Sequence, residues 1–120
     1  MIVVDAANVI GARPDGWWRD RAGAAHRFTE QVRATVRAGR LEPPVTLVLE
    51  GQARRGADED ELDGVAVVHA RGEGDDTIAV FAETYPGVVV VTADRALAGR
   101  VRRANGKVVG PSWLLDQLLN

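Results

Sequence analysis

Acidic residues stand at the ends of four hydrophobic runs in this chain. Asp5 closes IVVD, Glu50 closes VTLVLE, Asp75 and Asp76 follow VAVVHARGEG, and Asp94 closes VVVVTAD. If those runs are neighbouring parallel strands, the carboxylates converge on the sheet edge outside the strand carboxyl ends, where open α/β sheets bind ligands. Carboxylates gathered there repel one another, and a hard divalent cation with oxygen ligands relieves the repulsion. Mg²⁺ keeps several waters and takes one or two carboxylates directly, so the set could hold one ion, or two ions ~4 Å apart. Ions of that kind activate a water and stabilise a leaving oxygen, which suits phosphodiester hydrolysis without a side-chain nucleophile. The composition agrees. Cysteine is absent, and the sole serine, Ser112, is placed to cap a helix.

The positioning elements are legible from periodicity. Ile2 to Val4, Val45 to Leu49, Val65 to Ala70, Val88 to Ala93 and Lys107 to Val109 read as strands, the fourth too apolar for an edge. Asn8 to Gly16, with Gly11, Pro14 and Gly16, reads as a loop. Apolar residues every three or four positions predict a helix from Trp17 to about Ala38. Further helices are expected over Asp75 to Tyr85, over Arg95 to Ala104, and from Pro111-Ser112 through Leu119. Gly51 to Gly64, rich in Asp and Glu, reads as an exposed, mobile loop with room for a short helix. Strands separated by helices imply right-handed crossovers, hence an α/β fold: three layers, with a mostly parallel sheet of about five strands.

Bulk properties narrow the class. A chain of 120 residues makes one domain, 1–120, with a real core. No apolar run reaches the ~20 residues a membrane span needs. The N-terminus shows no signal peptide, and a cytoplasmic location is expected. The net charge of -2 gives no general drive toward nucleic acid, yet fourteen of the fifteen cations are Arg, whose planar fork fits phosphate.

Each acidic residue also has a purely structural use. Asp5 could cap a turn, and Asp75 and Asp94 could cap the helices they precede. Four on one edge are harder to explain as independent caps. Around them, the carboxamide of Asn8 could reach a phosphate or an ion-bound water, or simply make a turn. Thr92 could hydrogen-bond at the site or satisfy a strand end. Arg54, Arg55, Arg95, Arg100, Arg102 and Arg103 could line the acidic pocket, although a solvated helix face accounts equally for Arg100 and Arg103. His69 reads as a structural residue at a strand end. Trp17 and Trp18 flank the first loop and could stack an RNA base, or pack at the helix start.

DAANVIG at Asp5 to Gly11, GEGDDTIA at Gly72 to Ala79 and VVVVTADR at Val88 to Arg95 together resemble the PIN-like nucleases. Within them the chain is most similar to the NYN branch and its bacterial YacP-like members. That resemblance implies a PIN-like (Rossmann-like) fold and a Mg²⁺- or Mn²⁺-dependent endoribonuclease acting on RNA, with a ribosome or protein as a further partner. It implies Asp5, Asp75 and Asp94 as catalytic metal ligands, Asp76 as an auxiliary acid, and Asn8, Thr92 and Arg95 at the substrate. Glu50 stands where relatives often carry Asp, and would be a further ligand or act behind the ligands.

Two other classes compete. A phospho-accepting receiver module would use Thr92 and Lys107, but needs an acid where His69-Ala70 stands, and Lys107 begins its strand instead of ending it. A catalytically silent PIN-like RNA- or protein-interaction module would keep the same carboxylates.

Overall fold

The computed structural model describes residues 1–118. Its strands are β1 Ile2–Asp5, β2 Val45–Leu49, β3 Glu61–Leu62, β4 Val65–His69, β5 Val89–Val91 and β6 Lys107–Val109. Its α-helices are α1 Ala6–Gly11, α2 Arg21–Arg37, α3 Gly74–Thr84, α4 Arg95–Arg103 and α5 Pro111–Leu115, with 3₁₀ turns at Trp17–Arg19 and Gly51–Gly56. No helix among the described residues is long and apolar enough to cross a membrane.

The six strands form one sheet in the order β3-β4-β2-β1-β5-β6, parallel throughout except for the antiparallel β3–β4 pair. From β1 the chain builds outward through β2 and β4, then returns to build the other way through β5 and β6. The strand order therefore reverses between β1 and β5, and a crevice opens there at the carboxyl ends. Val4 pairs with Val91 across that seam. The next residue on each side is Asp5 and Thr92.

Alternation along the central strands feeds two cores. Val4, Leu47, Leu49 and Val67 face Phe28 and Val32 of α2 and Leu114 of α5. Val3, Val48 and Val90 face Ile78 of α3 and Leu97 and Val101 of α4. Helices on both faces make the three layers expected of strands apolar on both sides.

Local departures from the sequence expectations have local causes. The expected loop at Asn8 to Gly16 begins as helix α1, because Asp5 caps it and Ala6, Val9 and Ile10 are buried beneath it. The long first helix is split: Trp17–Arg19 is a 3₁₀ turn, and Asp20 then caps α2 by accepting from the Gly23 amide at 2.9 Å. The Gly51 to Gly64 segment is structured and supplies a sixth strand. Its acidic run is tied to α2, where Arg33, 6% exposed, bonds Asp60 at 2.7 Å and Arg37 bonds Asp63 at 2.7 Å. Glu73, not Asp75, sits at the N-cap of α3, and Gly110, not Ser112, at that of α5, with Pro111 in the first turn. Helix α5 ends at Leu115; the predicted end, Leu119, lies outside the described residues.

Gly56 shows how tightly the 3₁₀ segment is mounted on α2. A Cβ there would overlap the carbonyl oxygen of Ala22 and lie 2.8 Å from the amide nitrogen of His26. Both are backbone atoms that cannot swing aside. Gly56→Ala should cost roughly 1–3 kcal/mol in chemical denaturation, as overpacking does. Gly51→Ala, with nothing within 4 Å of the added carbon, isolates the cost of a positive φ alone.

Candidate active site

Asp5 ends β1 and begins α1, so its side chain lies at the crevice. It is 5% exposed. One carboxylate oxygen accepts from the Thr92 hydroxyl at 2.9 Å, and the other faces the Asn8 amide at 3.4 Å. No cation pairs with it among the described residues. Burial pushes its carboxyl up to about 6, against the pull of Thr92 and Asn8, and the charges of Asp75 and Glu50 push the same way. This carboxylate is costly to ionise.

Asp94 lies across the seam. Its Oδ1 caps α4 by accepting from the Leu97 amide at 3.0 Å. Thr92, 2% exposed, links the two acids: its hydroxyl donates to Asp5 and accepts from the Asp94 amide at 3.1 Å. Asn8 adds a second tie, its Oδ1 accepting from the Ala93 amide at 2.8 Å. Asn8 and Thr92, expected at the substrate, thus spend these groups on closing the β1–β5 seam.

Asp75 sits in the first turn of α3, where the helix dipole favours an anion. Burial nevertheless raises its carboxyl, and the charges of Asp94, Glu73 and Asp76 add to the rise against the opposing pull of Arg100. Glu50, just past β2, reaches the same place: its Oε1 lies 3.3 Å from where a Gly74 side chain would begin. Asp76 points outward, 89% exposed at its side chain, and bonds Arg100 of α4 at 2.8 Å. Asp5, Glu50, Asp75 and Asp94 therefore share one edge and one repulsive field, with Asp76 at the rim. Among the described residues no three acidic or histidine side chains are drawn into a single cation-ligating cluster. The donors are all carboxylate oxygens, a set suited to Mg²⁺ or Mn²⁺ and not to soft metals.

Arginine clefts flank this edge. On one side Arg95 and Arg102 line a cavity of about 480 Å³ that reaches Thr92 and Gly110. On the other, Trp17, Arg21, Glu50 and Gln52 line one of about 240 Å³. Arg21 and Gln52 did not stand out in the sequence, although Arg21 follows Trp17 by four residues and Gln52 follows Glu50 by two. His69 bonds the Ala57 carbonyl through Nε2 at 2.7 Å and so holds the segment beyond the 3₁₀ turn.

The doubly wound sheet has a counterpart among solved structures. The fold is that of the YacP-like proteins: the chain is similar to the crystal structure of a point mutant of Rae1 (YacP) from Bacillus subtilis. The TM-score is 0.68 at 17% identity, covering 96% of this chain and 71% of that one. No family model and no curated protein matches the sequence.

The buried charge has a stability consequence. Above pH 6 Asp5 is ionised in both the folded and the unfolded chain, and the full desolvation penalty is present. Between pH 6 and the ordinary value of 3.8 the folded chain binds a proton that the unfolded chain lacks, so stability rises as pH falls through that window. In metal-free buffer Asp5→Asn should be more stable than wild type at pH 7.5 by on the order of 1–3 kcal/mol, and the gain should shrink toward pH 4.5. Denaturation curves across that range check the sign.

Proposed function

We propose that the chain is a Mg²⁺- or Mn²⁺-dependent ribonuclease that hydrolyses RNA phosphodiester bonds internally at this edge. One observation carries the reading. A carboxylate at the switch point is buried, with further acids beside it and no ion-pair partner among the described residues, and burial and those acids push its carboxyl up to about 6. Such an arrangement costs stability, and perturbed acids in a crevice mark functional sites. The likeness in fold to Rae1 (YacP) and the three sequence segments that resemble PIN-like nucleases agree with it.

In this reading Asp5, Asp75 and Asp94 are the catalytic ligands, with Glu50 as a further oxygen donor. A cation held by these oxygens would supply Lewis-acid activation of the phosphodiester and of the attacking water. Thr92 holds Asp5 in one rotamer, and the Asn8–Ala93 bond fixes the approach of the two loops. Asp94 keeps Oδ2 outside its capping bond, which leaves that oxygen for the edge. Arg100 holds Asp76 away from the centre, so Asp76 serves there only if that ion pair opens. Arg95 is exposed beside Asp94 and offers its fork to a phosphate.

Asp5→Asn, Asp75→Asn and Asp94→Asn should each lower Mn²⁺-dependent cleavage of single-stranded RNA by at least about 100-fold, the scale of a lost electrostatic contact at the reacting centre. Circular dichroism should be unchanged, and Asn at position 94 still caps α4. Calorimetry should detect Mn²⁺ binding to wild type and weaker binding to Asp94→Asn; no binding to wild type would sink the metal site. The second reading, a catalytically silent RNA- or protein-interaction module, is favoured by the separation of the acidic side chains. It predicts RNA or a protein bound, and no cleavage with either ion.

A further inference from the structure

Next to Glu50 the acidic edge runs into a cleft of about 240 Å³ between α1 and the 3₁₀ segment at Gly51–Gly56. Its walls are apolar, with Ala7, Ile10, Trp17 and Ala53, and Arg21, Glu50 and Gln52 are the polar groups. This lies just below the ~300 Å³ at which sites for drug-sized ligands begin, so it has room for one flat ring system. Trp17 is half-buried and fixed from three sides. An added Cβ at Gly11 would sit 3.8 Å from its Cζ2; the Trp18 ring meets it edge-on at 5.9 Å; the Arg21 guanidinium lies over one face at 5.3 Å.

A second cleft, of about 460 Å³, shares Arg21, Gly51 and Gln52 with the first and continues along Arg54, Arg55 and His69. Arg54 is braced for this position: its Nε donates to the Gly51 carbonyl at 3.1 Å and its Nη1 to the Ala70 carbonyl at 3.4 Å. Arg55 is exposed, and no carboxylate pairs with either arginine among the described residues. Nearby Arg33 and Arg37 are ion-paired instead. The result is an apolar slot for a ring and a row of uncompensated guanidinium groups, meeting at Arg21.

We infer that these joined clefts bind single-stranded RNA, with one unpaired base against Trp17 and the adjoining phosphates on Arg21, Arg54 and Arg55. Stacking on an aromatic or guanidinium plane tolerates any base, and Gln52 at the mouth offers an amide to a base edge. A duplex cannot present an unstacked base to the slot. Trp17 and Gln52 are then the residues that select what reaches the carboxylates. The inference rests on the ribonuclease reading only for the class of ligand.

Anisotropy of a fluorescein-labelled single-stranded RNA 10-mer, in EDTA at low salt, tests it without cleavage. Arg54→Ala/Arg55→Ala should weaken binding about tenfold or more and flatten the salt dependence by roughly 1.4, from ~0.7 per phosphate contact on single strands. Trp17→Leu should weaken it about five- to 100-fold, as loss of a stacked base does, and Trp17→Phe should restore most of it. If Trp17→Leu misfolds, weakened binding by Gln52→Ala against unchanged binding by Lys107→Ala tests the same slot. Lys107→Ala, at the opposite edge of the sheet, should bind as wild type does.

Wild-type affinity in the arginine and Trp17→Leu variants would overturn the inference. So would duplex RNA, or a single nucleotide, binding as tightly as the 10-mer. RNA held through Trp17 but left whole with Mn²⁺ sinks the ribonuclease reading and keeps the groove. RNA cut at wild-type rate by the arginine and Trp17 variants does the reverse.

Discussion

The seam between β1 and β5 holds this structure together at its most strained point, where an anionic side chain is buried. Asp5 is placed there by register: parallel pairing sets Val4 against Val91, and the next pair of positions falls at the mouth of the crevice. The Thr92 hydroxyl is what makes the burial tolerable, and it also receives the Asp94 amide. One hydroxyl thus sets the relative height of two carboxylates, one ending β1 and one capping α4. Each is in turn the N-cap of the helix that follows it, so the starts of α1 and α4 are referenced to the same seam.

Capping and chemistry are therefore not rival uses of these residues. Asp5 and Asp94 are bound by amides through part of their acceptor capacity, which fixes their rotamers. A carboxylate held this way loses little entropy when it meets a ligand. Asp75 is different. It sits inside the first turn of α3 and makes no cap bond, and burial, then the charges of Asp94, Glu73 and Asp76, raise its carboxyl against the pull of Arg100. The edge combines two acids held as caps, Asp5 and Asp94, with two that make no cap bond, Asp75 and Glu50.

The sheet was legible because its strands are apolar on both faces, and Val88 to Ala93 in particular could only be interior. Strand-end acids were legible for the same reason: each interrupts an apolar run. What periodicity could not reveal were contacts made by polar side chains over long separations. The Asp58 to Asp63 run looks solvated in sequence; its ordering depends on Arg33 and Arg37, some 26 residues away, and on a glycine that admits a backbone. Helix α1 escaped notice because six residues give too few turns for a period, and the cap that starts it is a residue already assigned to a strand. Trp17 could be flagged by type, but its neighbours in the cleft, Arg21 and Gln52, are brought together only by the 3₁₀ segment.

The close seating of Gly56 against Ala22 and His26 has a bearing on how this molecule can change over time. A wall fastened by backbone contact resists insertion, deletion and repositioning, while of the side chains at positions 52, 54 and 55 it is Arg54 that is tied back to main-chain carbonyls. Divergence in what the chain recognises is thereby channelled into residue identity rather than loop length. A library confined to those three positions would explore new specificities on an unaltered chassis.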